Sequence, residues 1–119
     1  VPKTLETGKK GEEQAIAHLK ALGYTILKVN WRHKKLEIDI IARDGEFLAI
    51  VEVKTRKNAV FGDPEAFVDR RKQKKIIRAT HEYVKQYEVE EEVRFDIVSV
   101  NNETGQVELI KRAYYPDLL

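Results

Sequence analysis

Asp39, Glu52 and Lys54 lie within one stretch of the chain, Leu36 to Arg56. Two carboxylates at the rim of an apolar face are costly unless a cation compensates them. Their oxygens are the hard donors that Mg²⁺ or Mn²⁺ accepts. A lysine beside such a pair can orient a water or offset negative charge in a transition state. The same residues also suit an ordinary strand end whose charges reach solvent and pair with each other.

Two apolar, β-branched runs flank Asp44-Gly45, which predicts a hairpin, because a tight turn needs φ > 0 and Asp-Gly supplies it. With Asp44-Gly45 as the two loop residues, Arg43 faces Glu46, Asp39 faces Ile50 and Glu37 faces Glu52. Side chains alternate along a strand. One face then holds Glu37, Asp39, Ile41, Leu48, Ile50, Glu52 and Lys54. The other holds Ile38, Ile40, Phe47, Ala49, Val51 and Val53. Both faces of the second strand are apolar along most of its length, as in a central strand covered on both sides.

Residues 5 to 22 read as a helix stopped by Gly23. Its apolar face holds Leu5, Ala15, Ile16, Leu19 and Leu22, and Glu12 falls on that face while Glu13 points outward. Glu12 can therefore aim at the sheet, although an acid near a helix start also simply suits the dipole. Gly8 is on the same face and is costly in a helix, so a close approach is expected there. Residues 24 to 31 read as a strand. Arg32 to Lys35 reads as a basic turn in which His33 is most simply a surface residue. Residues 61 to 64 read as a loop.

Residues 70 to 87 read as a second helix with Asp69 as N-cap. Lys72 and Gln73 share its core-facing side, one turn before the apolar stripe. They are second-tier candidates for substrate binding, or long stems packed on the core. Arg70, Arg71, Lys74 and Arg78 are expected to point away. Strands over 93 to 100 and 106 to 111 follow, with a turn over 101 to 105, and Arg94 and Asp96 share one face as a candidate ion pair. The order α-β-β-β-α-β-β predicts an α/β fold, with a mixed central sheet, helices on both faces and parallel strands around the second helix.

Asp on one strand followed by Glu-x-Lys on the next resembles the active-site pattern of restriction-endonuclease-like, PD-(D/E)xK, nucleases. The fuller string resembles the small bacterial YraN-type proteins, which are similar to Holliday junction resolvases. The matching pieces are Gly8-Lys-Lys-Gly-Glu12, Gly23-Tyr24, Asn30, Glu37-Ile-Asp39, Val51-Glu-Val-Lys-Thr-Arg56, Phe61-Gly62 and Arg94-Phe-Asp96. One departure is Leu36, where the motif usually carries Gly. The resemblance implies a restriction-endonuclease-like core and a metal-dependent endonuclease acting on DNA, with branched or junction DNA as a candidate. It implies catalytic roles for Asp39, Glu52, Lys54 and Glu12. Asp39, Glu52 and the Val53 carbonyl would hold Mg²⁺ or Mn²⁺, with Glu12 as an additional ligand or a support behind the ligands. The alternative is a nucleic-acid-binding module on the same fold with catalysis weak or lost. A two-fold dimer would suit a symmetric junction.

A length of 119 residues fits one domain with one core. The absence of Cys excludes disulfides and thiolate metal sites and fits a reducing compartment. No apolar run reaches membrane-spanning length and no leader pattern opens the chain, so a cytoplasmic protein without membrane contact is expected. The net charge of +2 conceals an asymmetry, because Lys54 to Arg78 holds nine basic residues against three acidic ones. Arg56, Arg71 and Lys74 in that stretch are candidates for phosphate contact.

Overall fold

The computed structural model describes residues 3–56 and 68–116, with side chains described from residue 8 onward. Helix α1 (Lys3–Ala21) leads into strands β1 (Thr25–His33), β2 (Leu36–Asp44) and β3 (Phe47–Arg56). Helix α2 (Arg70–Tyr87) is followed by β4 (Glu92–Asn101) and β5 (Val107–Tyr114). The five strands form one sheet in the order β1-β2-β3-β4-β5. Among the described residues only β3 and β4, the strands on either side of α2, pair in parallel. Elements, order and the parallel pair match the sequence expectation. The last strand runs further than expected, to Tyr114.

Each helix covers one face. Ala15 and Leu19 of α1 pack on Ile40, Ala42, Ala49, Val51, Val98 and Val100. Ile76, Ala79 and Tyr83 of α2 pack on Ile41, Leu48, Ile50, Phe95 and Ile97. Central β3 is thus buried on both sides, which accounts for its nearly continuous apolar run.

The hairpin register differs from expectation. The loop residues are Gly45 and Glu46, so Asp44 faces Phe47 and Arg43 faces Leu48. Gly45 takes φ +59 and Glu46 takes no positive φ, the pattern of a turn with Gly at its first central position. Asp44 stays in the strand, where its carboxylate meets Arg94 at 2.8 Å and Lys111 at 3.4 Å. The slip changes each partner by two residues, and an even slip leaves every side chain on its face. Asp39 and Glu52 consequently stand one step beyond the last pair, Ile40↔Val51, and oppose each other more directly than the expected register allowed.

Three further expectations are corrected. Ile38 joins the α2-side cluster with Ile41 and Ile50, because alternation fails where β2 leaves β3 and its partner strand carries Asn30 at φ +53. Leu22 is 53% exposed, since α1 ends at Ala21 and Gly23, at φ +95, turns the chain. Gly8 has open space around it, and the close approach falls at Gly11 instead. A Cβ on Gly11 would collide with Thr55 Oγ1, so a larger residue there would force that hydroxyl to turn away or α1 to shift from β3. The loop expected over 61 to 64 lies outside the described residues.

Candidate functional site

β2 and β3 part company after Ile40↔Val51, and the gap exposes a backbone donor. Asp39 fills it by accepting a hydrogen bond from the Val53 N–H at 2.9 Å. Glu52, on the α2 side of β3, is only 5% exposed. Lys72, in the first turn of α2, reaches it with Nζ 2.8 Å from Oε1. The helix start is fixed by Asp69, whose carboxylate accepts from the Lys72 N–H at 2.8 Å. This cap sets where the Lys72 side chain leaves the helix.

These groups line a cavity of about 380 Å³. Glu37, Asp39 and Glu52 stand on the sheet side, and Arg71, Lys72 and Lys75 on the helix side. Lys35 and Leu36 close one end. Burial, followed by the Glu52 charge, raises the Asp39 carboxyl from its ordinary 3.8 to about 7, against the Val53 N–H and Lys72. Burial opposes the charge on Lys72, but the bond to Glu52 and the Asp39 charge hold its pKa above the ordinary value. The site is therefore an acid pair in need of positive charge, partly satisfied by one lysine.

The candidates divide as follows. Asp39, Glu52, Lys72 and Arg71 come together at this cavity. Arg71 had been expected to point away, and its place in the lining corrects that: it stands in the first turn, where the cavity opens and a long side chain can curl inward. Lys54 is half-buried next to the site but does not line it, and makes no ion pair among the described residues. Gln73 is buried and donates from Nε2 to the Val68 carbonyl at 2.9 Å, which spends it on the helix entry. Arg56 and Lys74 are exposed. Glu12 is half-buried and Glu13 exposed, as their helical angles predicted. Glu12 does not enter the cavity, however. Its carboxylate accepts from Asn30 Nδ2 at 2.8 Å, and Asn30 stands beside Asp39, between the Val29↔Ile40 and Trp31↔Ile38 pairs. Lys35 and Lys75 went unnoticed in the sequence. Lys75 lies three and four positions after Lys72 and Arg71, the spacing of one helix face, and that spacing could have found it.

Asp39 and Glu52 are the two residues of this cavity that could hold a divalent cation between them. Among the described residues no three of His, Cys, Asp and Glu converge as a protein cage. A pair of carboxylates is the kind of donor set Mg²⁺ uses, since it keeps waters and takes substrate phosphates as further ligands.

At the other end of the sheet lies a second polar cluster that the sequence signalled only as an ion pair. Arg94 Nε and Nη2 both donate to Asp96 at 2.9 Å, and Nη2 donates to Tyr24 Oη at 2.6 Å and to Asp44 at 2.8 Å. Asp96 is fully buried and Arg94 is 5% exposed. The Arg94 guanidinium also lies 5.0 Å from the Phe47 ring. The cluster ties α1's exit, the hairpin end and β4 together, away from the cavity.

Fold and site define a mixed α/β protein with paired carboxylates at the end of a central parallel strand. The chain belongs to the uncharacterised protein family UPF0102, whose family model matches residues 11–100, in keeping with the YraN-type resemblance. A UPF0102 protein of Bacteroides thetaiotaomicron is 45% identical over 115 residues, covering 95% of each chain. One of Christiangramia forsetii is 42% identical over 92% of this chain and 94% of its own. One of Thermodesulfovibrio yellowstonii is 41% identical over 93% and 97%. Among the described residues no helix is long and apolar enough to cross a membrane.

Proposed function

We propose that the protein is a divalent-metal-dependent phosphodiesterase acting on nucleic acid, with DNA as the first candidate. The observation that carries this reading is the convergence of Asp39 and Glu52 on one cavity whose opposite wall is cationic. Asp39 and Glu52 would hold Mg²⁺ or Mn²⁺, and the Val53 carbonyl is a further donor beside them. When bound, such an ion polarises a phosphodiester and makes a water more acidic. The protein's own side chains do the rest. Arg71 and Lys75 bind the phosphate charge, and Lys72 neutralises Glu52 when no cation does. Lys54 has no acceptor to offer a cation, so its role lies with water or with charge building on the phosphate. Glu12 acts from behind, through Asn30.

A second reading is a binding module with little or no catalysis. The Lys72–Glu52 ion pair favours it, because a lysine already supplies the charge that a metal would bring. Labelled junction, flap, duplex and single-stranded DNA, incubated with Mg²⁺ or Mn²⁺ beside Asp39→Ala, separates the two. Cleavage by the wild type that disappears in the variant supports the enzyme. Binding without cleavage under every condition sinks it in favour of the module.

A further inference from the structure

Next to the carboxylate cavity is a second lobe of about 510 Å³, between the β1–β2 turn and the middle of α2. It is lined by His33, Lys34, Leu36, Ile77, Arg78 and His81, with Glu82 at its edge. Leu36 lines both lobes, so the two adjoin at this residue. Their chemistry differs. The first lobe offers carboxylates and ammonium groups. The second offers an apolar floor, since Leu36 and Ile77 are half-buried and packed against the core.

The walls of the second lobe are imidazoles and cations. The His33 ring stacks on Trp31 with centroids 6.1 Å apart, and its Nε2 lies 3.7 Å from Glu82, so it is held in place. His81 is exposed. Lys34 sits at φ +56 in the turn, and among the described residues neither Lys34 nor Arg78 makes an ion pair. A flat, apolar group flanked by negative charge is what this combination fits. An unpaired nucleobase with its adjoining phosphates is such a ligand: bases stack on planar side chains and cations take the backbone. A base inside a duplex has its faces covered and cannot occupy the lobe.

We infer that this second lobe takes an unstacked nucleobase, with Lys34 and Arg78 on its flanking phosphates. The substrate then carries a single-stranded segment beside the bond held at the carboxylates. That last step rests on the phosphodiesterase reading, whereas the binding of an unpaired strand does not.

The test is fluorescence anisotropy in EDTA, with a labelled oligothymidylate and a blunt duplex of equal length. The single strand should bind roughly tenfold tighter or better. Lys34→Glu with Arg78→Glu, both exposed positions, should weaken single-strand binding by about tenfold or more, with a thermal melt confirming the fold. His81→Ala should narrow the gap between the two DNAs. Equal affinity for single strand and duplex, or a double reversal without effect on the single strand, overturns the inference. Wild-type hydrolysis of bis(p-nitrophenyl) phosphate with Mn²⁺, measured in parallel, keeps the two ideas apart. No hydrolysis with strand preference intact defeats the enzyme reading alone. Hydrolysis without strand preference defeats the base lobe alone.

Discussion

Lys72 Nζ lies 2.8 Å from Glu52 Oε1, joining the first turn of α2 to the end of β3. The two ends of this bond differ in environment. Glu52 is buried, whereas the Lys72 side chain is 47% exposed. The lysine can reach solvent, whereas the carboxylate stays buried and needs another positive charge if the lysine leaves. The bond neutralises Glu52, and the cation proposed for this site would take its place.

Lys72→Ala should therefore have two opposite effects. Without divalent cations the variant loses on the order of 1–3 kcal/mol, because a buried acceptor is left unsatisfied. With Mn²⁺ its melting temperature should rise more than that of the wild type, since the ion no longer competes with an ammonium and stabilises by mass action. Thermal melts across a Mn²⁺ series measure both. An equal Mn²⁺ response in the two proteins would mean that Lys72 and the ion do not share a place.

Asp39 gives a pH signature with a definite sign. Its carboxyl is raised to about 7 in the folded protein, chiefly by burial and then by Glu52, from an ordinary 3.8. The folded state thus binds the extra proton. The contribution is fully present below about 3.8 and is lost as pH rises through about 7. Asp39→Asn, which keeps an acceptor for the Val53 N–H, escapes that loss. Its stability relative to the wild type should grow by on the order of 2 kcal/mol from about pH 5 to about pH 8 without divalent cations. Mn²⁺ at the upper pH should then restore the wild type and leave the variant unmoved, since metal binding needs the deprotonated carboxylate. Denaturant titrations at the two pH values check it. A constant difference would mean that Asp39 is not held protonated.

Periodicity and turn chemistry made most of this fold legible. The α2 span and its Asp69 cap, the two-faced burial of β3 and the shared face of Arg94 and Asp96 all follow from local pattern. The register slip was not legible, because Asp44-Gly45 and Gly45-Glu46 are both workable loops. What decides between them is Asp44's ion pairs with Arg94 and Lys111, which come from β4 and β5. Asp39 and Glu52 survived the slip because face depends only on parity. Glu12 was placed correctly on its helix, yet helical angles carry no information about Asn30 across the gap. The same limit hid Lys35, whose place at the cavity depends on how the β1–β2 turn meets α2.

Arg94 is the residue whose removal should be worst for stability and least informative about chemistry. It is the cationic partner of fully buried Asp96, which also accepts from the Tyr24 hydroxyl and the Arg112 N–H, and it holds Asp44 and the Tyr24 hydroxyl as well. Arg94→Ala leaves that buried carboxylate uncompensated, a loss of about 3–5 kcal/mol. Arg94→Lys should recover only part of it, because an ammonium cannot reproduce the guanidinium fork. In whatever fraction stays folded, the Mn²⁺-induced rise in melting temperature should match the wild type, since the cluster lies away from the cavity. Urea unfolding with and without Mn²⁺ tests both halves. A loss below 1 kcal/mol would show that Asp96 finds another partner.

Lys54 separates chemistry from metal holding. It lies two residues beyond Glu52, on the same face of β3, half-buried and without an ion pair among the described residues. An ammonium only donates, so it adds nothing to a cation's ligand set. If the phosphodiesterase reading is right, Lys54→Ala should reduce cleavage by roughly a hundredfold or more. It should leave the Mn²⁺ response of the melting temperature near the wild-type value, where Asp39→Asn abolishes it. The alanine also removes a stem from the strand end, so a modest fall in stability without metal is expected in both assays and is subtracted by comparing each protein with its own metal-free state. Calorimetry with Mn²⁺ and a cleavage assay on the same preparation decide the matter. A fall in metal affinity as large as that of Asp39→Asn would mean that Lys54 shapes the carboxylate pair rather than acting on water or phosphate.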